Sequence, residues 1–175
     1  MKKDFVMPIF VLAVICLVVS GALSVLHHAT SPIIEQRASE RTQAARIEMI
    51  PHATGFERIQ PDNLPDTITA VYRTENDVGY VFIVTVTGYN GAIEIICGVN
   101  SDGSIIDTTV LSHSETPVLG TVAFERAFAD QFIGISKADN ALNDIDTITG
   151  STITSAAYIE AVRYALSANE IIDGG

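Results

Sequence analysis

Six hydroxyl side chains crowd into nine residues, Thr147 to Ser155 (TITGSTITS), with Gly150 the one glycine among them. They stand just before an apolar helical pattern. The first N–H groups of a helix lack intrahelical acceptors, and the helix dipole adds partial positive charge at that end, so a phosphate is well placed there. Gly150 permits a backbone conformation that bulkier residues resist and lets a ligand approach closely. The hydroxyls add donors. With no lysine in the stretch, it is not a Walker loop. On the residues alone two readings stand open. One is a hydroxyl-rich turn closing on a helix cap, which has a slight advantage. The other is a cradle for an anionic group.

A second stretch, Ser112 to Gly120 (SHSETPVLG), packs a histidine, an acid, hydroxyls and a proline turn into nine residues. It reads as a loop, the part of a fold that most often carries function. His113 is the general-base candidate, but there is no G-x-S-x-G elbow and no spacing that selects a triad. Acids are plentiful enough to leave a glycosidase-like carboxylate pair open, but nothing in the residues points to one. Without a C-x-x-C, a metal or iron–sulfur site made by this chain alone is not expected. Cys16 and Cys97 read as small buried hydrophobes, with no disulfide between them.

The elements that must position these stretches follow from periodicity. Phe5 to Leu26 contains no charge, and as a helix it reaches roughly 33 Å, enough to cross a bilayer. A cleaved signal peptide, a lipoprotein signal and a retained anchor compete for it. Ile15 stands where a lipoprotein needs a small residue, and the run is long for a signal peptide, so a single transmembrane helix over 5–26 is the reading adopted. Lys2 and Lys3 keep residues 1–4 cytoplasmic by the positive-inside rule, which puts the rest outside. Ser31-Pro32 is expected to cap and start a stalk helix over 27–50, ending before Pro51. The domain over 51–175 opens with a loop to Thr67. Strands are predicted at 68–73, 80–87, 92–99 and 104–111, joined by short turns, which implies an antiparallel meander. A helical stripe of Val122, Phe124, Phe128 and Phe132 reads as core, 145–148 as a short strand, and Ser155 onward as an amphipathic helix. The terminal Asp173-Gly174-Gly175 is expected to fray.

Beyond residue 50 the chain has seventeen acids against five bases. That excludes nucleic acid and broad docking on anionic lipid, but not a locally bound anion.

Together the motifs carry a resemblance. DTITGSTITS (Asp146 to Ser155) resembles the flavinylation motif of FMN-binding domains: Asp, two residues, Ser or Thr, Gly, Ala, then the acceptor Thr. HSETPVLG (His113 to Gly120) resembles their HxETPGLG loop. GYNGAIEIICGVNSDGSI resembles their strand–turn–strand block, and IPHATGFERI their proline-led segment. With the anchor, the chain is similar throughout to the G-type subunits of Rnf complexes, ion-translocating ferredoxin–NAD oxidoreductases, which are related to the C-type subunits of sodium-pumping NADH–quinone reductases. The resemblance implies an α+β fold: an N-terminal transmembrane helix, then an extracytoplasmic FMN-binding domain with a mainly antiparallel sheet flanked by helices. It implies FMN esterified to Thr152 by a separate flavin transferase, with Thr149, Gly150, Ser151 and Thr154 at the phosphate end and Glu115, Thr116 and Leu119 near the isoalloxazine. It also implies electron relay between partner subunits of a membrane complex, with no independent substrate turnover. A free-standing anchored flavoprotein and a non-redox anchored binding module are the alternatives. Two residues depart from the pattern: Ser151 replaces Ala, and Val118 replaces Gly.

Overall fold

A computed structural model describes residues 2–139 and 141–173; Met1 of the expected cytoplasmic N-terminus and Gly174-Gly175 of the expected frayed end lie outside them, while Asp173 of that end is the last residue of a helix. The chain divides into two compact units between Arg41 and Thr42. Helix α1 runs over Lys2–Met49. In the first unit its apolar side chains from Met7 to Leu26 are exposed among the described residues. The helix is long and apolar enough to cross a membrane by length and composition. The expected helix start at Ser31-Pro32 does not form. Thr30 Oγ1 and Ser31 Oγ bond backwards to the carbonyls of Leu26 (2.8 Å) and His27 (2.9 Å) instead of forwards to backbone N–H groups. The hydroxyls therefore join the existing helix rather than cap a new one.

The second unit is a five-stranded antiparallel meander in the order β1-β2-β3-β4-β5: β1 Phe56–Ile59, β2 Ile68–Thr74, β3 Gly79–Thr87, β4 Ala92–Asn100 and β5 Ile105–His113. The four longer strands stand close to where alternation and turn chemistry put them. The short β1 lies inside the segment read as a loop. Phe56 and Ile59 are half-buried and Glu57 and Arg58 exposed, too short a pattern to stand out from its polar, proline-bearing surroundings.

Both faces of the sheet are covered, which is why the central strands read as nearly continuous apolar runs. One face carries Phe82, Val84, Ile93, Ile95, Cys97 and Val99 against Tyr158, Ala161, Val162, Ala165 and Leu166 of helix α3 (Thr152–Asp173). The other carries Val81, Ile83 and Ile96 against Met49 and Ile50, at and just beyond the end of α1. Nearby, the Arg46 guanidinium lies 4.0 Å from the ring centroid of Tyr72, a contact that joins cation–π attraction to stem burial.

The stripe from Val122 to Phe132 folds as three short pieces rather than one helix: 3₁₀ turns at Thr121–Phe124 and Asp130–Phe132 around a single α turn, α2 (Arg126–Ala129). Glu125, at φ −68° and ψ 146°, breaks the helical path. The core reading of its aromatic residues holds. Phe128, Phe132 and Tyr158 form one buried cluster, with Phe132 stacked on Tyr158 at 5.3 Å and Phe128 edge-on to both. Arg126 forks onto both carboxylate oxygens of Asp107 at 2.8 Å and so fastens this segment to β5. The expected strand at 145–148 is irregular. Its last residue is taken up by the helix that follows: Ile148 N–H donates to Ser155 Oγ (3.1 Å) and Ile148 C=O accepts from Ser151 N–H (2.9 Å). Helix α3 consequently begins at Thr152, three residues before the apolar pattern suggests.

The Tyr158 hydroxyl donates to Thr108 Oγ1 at 2.9 Å in a fully buried contact, and burial raises the phenol's pKa well above its ordinary value, keeping it neutral. Tyr158→Phe should destabilise the detergent-solubilised chain by about 1–3 kcal/mol in denaturant titration, because Thr108 loses its donor. Adding Thr108→Val should recover most of the loss, since both buried partners are then apolar.

Candidate functional site

Three segments that are distant in sequence meet at one cleft of about 370 Å³: the β3–β4 hairpin turn, the loop after β5, and the first turn of α3. Its lining includes Glu115, Thr116, Leu119, Gly150, Ser151, Thr152 and Thr154, seven of the eight residues singled out in the sequence. Thr149 stands outside it with an exposed side chain. Gly150 takes the left-handed conformation at φ 85° and turns the chain between Thr149 and the helix, so the two sides of that glycine face different surroundings. Only glycine holds such a turn at no steric cost.

The start of α3 presents what an anion needs. Among the described residues no acceptor is bonded to the N–H groups of Thr152, Ile153 and Thr154, the orphan donors of a 22-residue helix. The hydroxyls around them divide sharply. Ser155 Oγ is buried and engaged with Ser151 C=O at 2.9 Å and Ile148 N–H at 3.1 Å. Ser151 Oγ is buried too, and donates to Gly120 C=O at 3.1 Å. Thr152 is exposed, and its hydroxyl makes only a long 3.4 Å contact with Ile148 C=O. Of the two adjacent hydroxyls at 151 and 152, one is occupied inside the protein and the other is available at the cleft.

At the cleft's other end lies a buried carboxylate. Glu115 is 5% exposed. Its Oε1 accepts from Asn90 N–H at 3.1 Å, while its Oε2 is buried with no hydrogen-bond partner. Two glycines make room for it. A Cβ on Gly88 would stand 2.2 Å from Glu115 Oε1, and one on Gly120 would stand 2.7 Å from Oε2. The carboxylate is further held through its own loop. Glu115 N–H donates to His113 Nδ1 (3.2 Å), the His113 ring lies against Phe124, and Asn90 Nδ2 donates to Ser114 C=O (2.7 Å). His113 is thus a support for the loop rather than a base beside a nucleophile. A buried carboxylate oxygen without a partner is costly to the protein alone.

Sequence reasoning missed Tyr89, Gly120 and Ile153, which also line the cleft. Tyr89 is 70% exposed at the tip of the hairpin turn. An aromatic residue inside a Gly-Tyr-Asn-Gly turn is the signal that could have drawn attention, since nothing in a tight turn requires a large apolar ring. With Leu119 and Ile153 it supplies exposed apolar surface at the cleft, as a planar, mostly apolar ligand needs.

Val118 adopts φ 73°, a conformation strongly disfavoured for a β-branched residue. Its N–H donates to Thr121 Oγ1 at 3.0 Å, and Gly120 N–H donates to Thr116 C=O at 3.0 Å, so the strain is held within a short closed loop.

An orphan helix N-terminus with a free hydroxyl, apolar walls and a buried acceptor match the phosphate, ring and hydrogen-bonding edge of a flavin mononucleotide, and the fold and cleft define an FMN-binding domain. The family model of the FMN-binding domain matches residues 88–167. The chain is similar over most of its length to the G subunit of the ion-translocating oxidoreductase complex of Methanosarcina acetivorans, at 30% identity over 94% of both chains. It is also similar to the G subunit of the proton-translocating ferredoxin:NAD(+) oxidoreductase complex of Clostridium ljungdahlii (28% identity; 94% of this chain, 91% of the relative). The G subunit of the Na(+)-translocating ferredoxin:NAD(+) oxidoreductase complex of Acetobacterium woodii is 30% identical over 89% of this chain and 87% of its own. The chain belongs to the family of G-type subunits of ion-translocating oxidoreductase complexes.

Replacing Val118 by glycine should relieve the backbone strain, of order 1–3 kcal/mol, against a smaller entropic loss from the more flexible unfolded chain. The expected net is a stabilisation of about 1 kcal/mol, read as a higher midpoint in thermal or denaturant unfolding.

Proposed function

We propose that this chain is an electron-carrying subunit of a membrane-bound, ion-translocating oxidoreductase complex and holds FMN covalently through a phosphoester on Thr152. The carrying observation is the contrast between neighbours. Thr152 offers an exposed hydroxyl at the first residue of α3, inside the cleft, whereas the Ser151 hydroxyl is buried and bonded to Gly120. The N–H groups of Thr152, Ile153 and Thr154 would hold the phosphate oxygens, aided by the helix dipole. Gly150 keeps the approach to that end open, with nothing within 4 Å of where its Cβ would be. Thr149 serves this end through its position in the turn, not through contact with the cleft. Leu119, with Tyr89 and Ile153, would cover the apolar ring, and Thr116 and Glu115 would meet its polar atoms. When bound, FMN supplies one- and two-electron transfer; the protein's contribution is position, exclusion of water and the local field. A covalent tether suits a relay, because a carrier that loses its cofactor breaks the chain of transfers.

The apolar N-terminal helix supports a membrane anchor, and Lys2 and Lys3 support a cytoplasmic N-terminus with the FMN-binding domain on the opposite side. In that compartment a dedicated flavin transferase would form the ester, and the redox centres of partner subunits would be the donor and acceptor. Two relatives carry names with different coupling ions, H⁺ and Na⁺, so membership of the family does not by itself select the ion.

Intact-mass measurement of the denatured chain, produced in a host with a flavin transferase, tests the assignment. The wild-type mass should exceed the sequence mass by one FMN less one water, and the denatured protein should keep flavin absorbance. Thr152→Ala should lose both completely, Thr152→Ser should keep them, and Ser151→Ala should keep them. Flavin persisting on Thr152→Ala would refute the assignment.

A further inference from the structure

The two residues that depart from the resembled motif, Ser151 and Val118, act on the same piece of backbone. Residues 116–120 form a short loop closed on itself by Gly120 N–H to Thr116 C=O, with Val118 in the left-handed region at its centre. Val118 is 78% exposed, so no buried packing of its side chain holds it there. Leu119, the next residue, is 62% exposed at the cleft. Gly120 is buried with its Cα against the Glu115 carboxylate, and its carbonyl accepts from Ser151 Oγ at 3.1 Å. Among the described residues this is the one hydrogen bond between the loop and the first turn of α3.

We propose that Ser151 is a positioning residue whose hydroxyl latches the strained 116–120 loop to the start of α3, and so sets where Leu119 and Glu115 stand against a bound flavin. The inference rests on the FMN reading above. A buried hydrogen bond and a left-handed β-branched residue are of comparable energy, so removing the bond lets the loop relax. Alanine at 151 cannot make the bond, and a loop with glycine at 118 does not need it, because glycine occupies the left-handed region without strain. The serine therefore answers the valine. It also keeps its own hydroxyl out of the cleft, leaving Thr152 as the acceptor.

The test uses the full-length chain, loaded with FMN in a host with a flavin transferase and purified in detergent. Its readouts are the visible circular dichroism of the attached flavin and quenching of flavin fluorescence by iodide. Ser151→Ala should leave FMN on Thr152 but raise the quenching constant, by about fivefold where iodide reaches the ring only with the loop unlatched, since one buried hydrogen bond shifts that equilibrium by this factor, and alter the dichroism. Ser151→Cys, which keeps the volume with a poor donor, should behave the same way and serves if the alanine variant folds poorly. Adding Val118→Gly to either should return both signals toward wild type when all variants are read well below their unfolding midpoints, where a general change of stability does not move the signals. Unchanged signals in both serine variants, or no rescue by Val118→Gly, overturn the latch. A wild-type chain carrying no FMN mass overturns the function itself, an outcome distinct from a loaded chain whose flavin ignores Ser151.

Discussion

The packing of helix α3 across the sheet is the contact on which the site depends. Tyr158 is locked from three sides, by Phe128, by Phe132 and by the hydroxyl of Thr108 on β5. Thr152 lies six residues earlier, so on a helix the first turn is held within roughly 9 Å of that aromatic anchor. A helix end is a good anion site only when its orphan N–H groups are aimed at a fixed place. The interior aromatic cluster does that aiming, and it puts the helix start beside the loop that leaves the far end of β5. The same packing explains why the segment at 145–148 cannot be a strand: its backbone is drawn into the helix start by Ser155.

A second constraint runs through Glu115. A carboxylate held almost out of water, with one oxygen bonded to Asn90 and the other without a partner, is costly, and it fits only where its neighbours leave room for it. Gly88 and Gly120 leave the needed space, and any side chain at either would collide with the acid or displace it. Asn90 meanwhile fastens the hairpin turn to the same loop through Ser114. Hairpin, loop and helix start are thus tied pairwise: Asn90 to Glu115, and Gly120 to Ser151. The protein holds this arrangement with its own groups, which is what preorganisation for a ligand requires.

The chemistry then follows from which polar groups are already occupied. Six hydroxyls in one short stretch look interchangeable. In the folded chain Ser155 and Ser151 are buried and hydrogen-bonded, Thr154 is buried, and Thr147 and Thr149 precede the turn at Gly150 and do not line the cleft. Exposure combined with a place in the cleft singles out Thr152. The acid-rich surface of the domain does not oppose a bound phosphate, because the site offers backbone donors and no carboxylate within its helix turn.

Much of this was legible in the residues. The uncharged run near the N-terminus, the four longer strands and the amphipathic α3 each write a local pattern, since burial repeats at the period of the element that is buried. The motif around Gly150 was legible too, because a left-handed turn before a helix admits few residue types. What local pattern could not carry is anything fixed by contacts between distant residues. Ser31-Pro32 looks like a helix start until the preceding helix is there for Ser31 to bond back to. The stripe from Val122 to Phe132 has helical spacing, yet it breaks at Glu125 and is pinned to β5 by Asp107. Tyr89 becomes part of a cleft only when its hairpin is tied to a loop 25 residues away. By itself the sequence determined the long apolar helix, the four longer strands, the final amphipathic helix and the set of hydroxyls and acids available. Only the tertiary structure decided which hydroxyl is free, which acid is buried and which loop is held under strain, because those outcomes depend on hydrogen bonds and close approaches that exist once α3 has closed on the sheet.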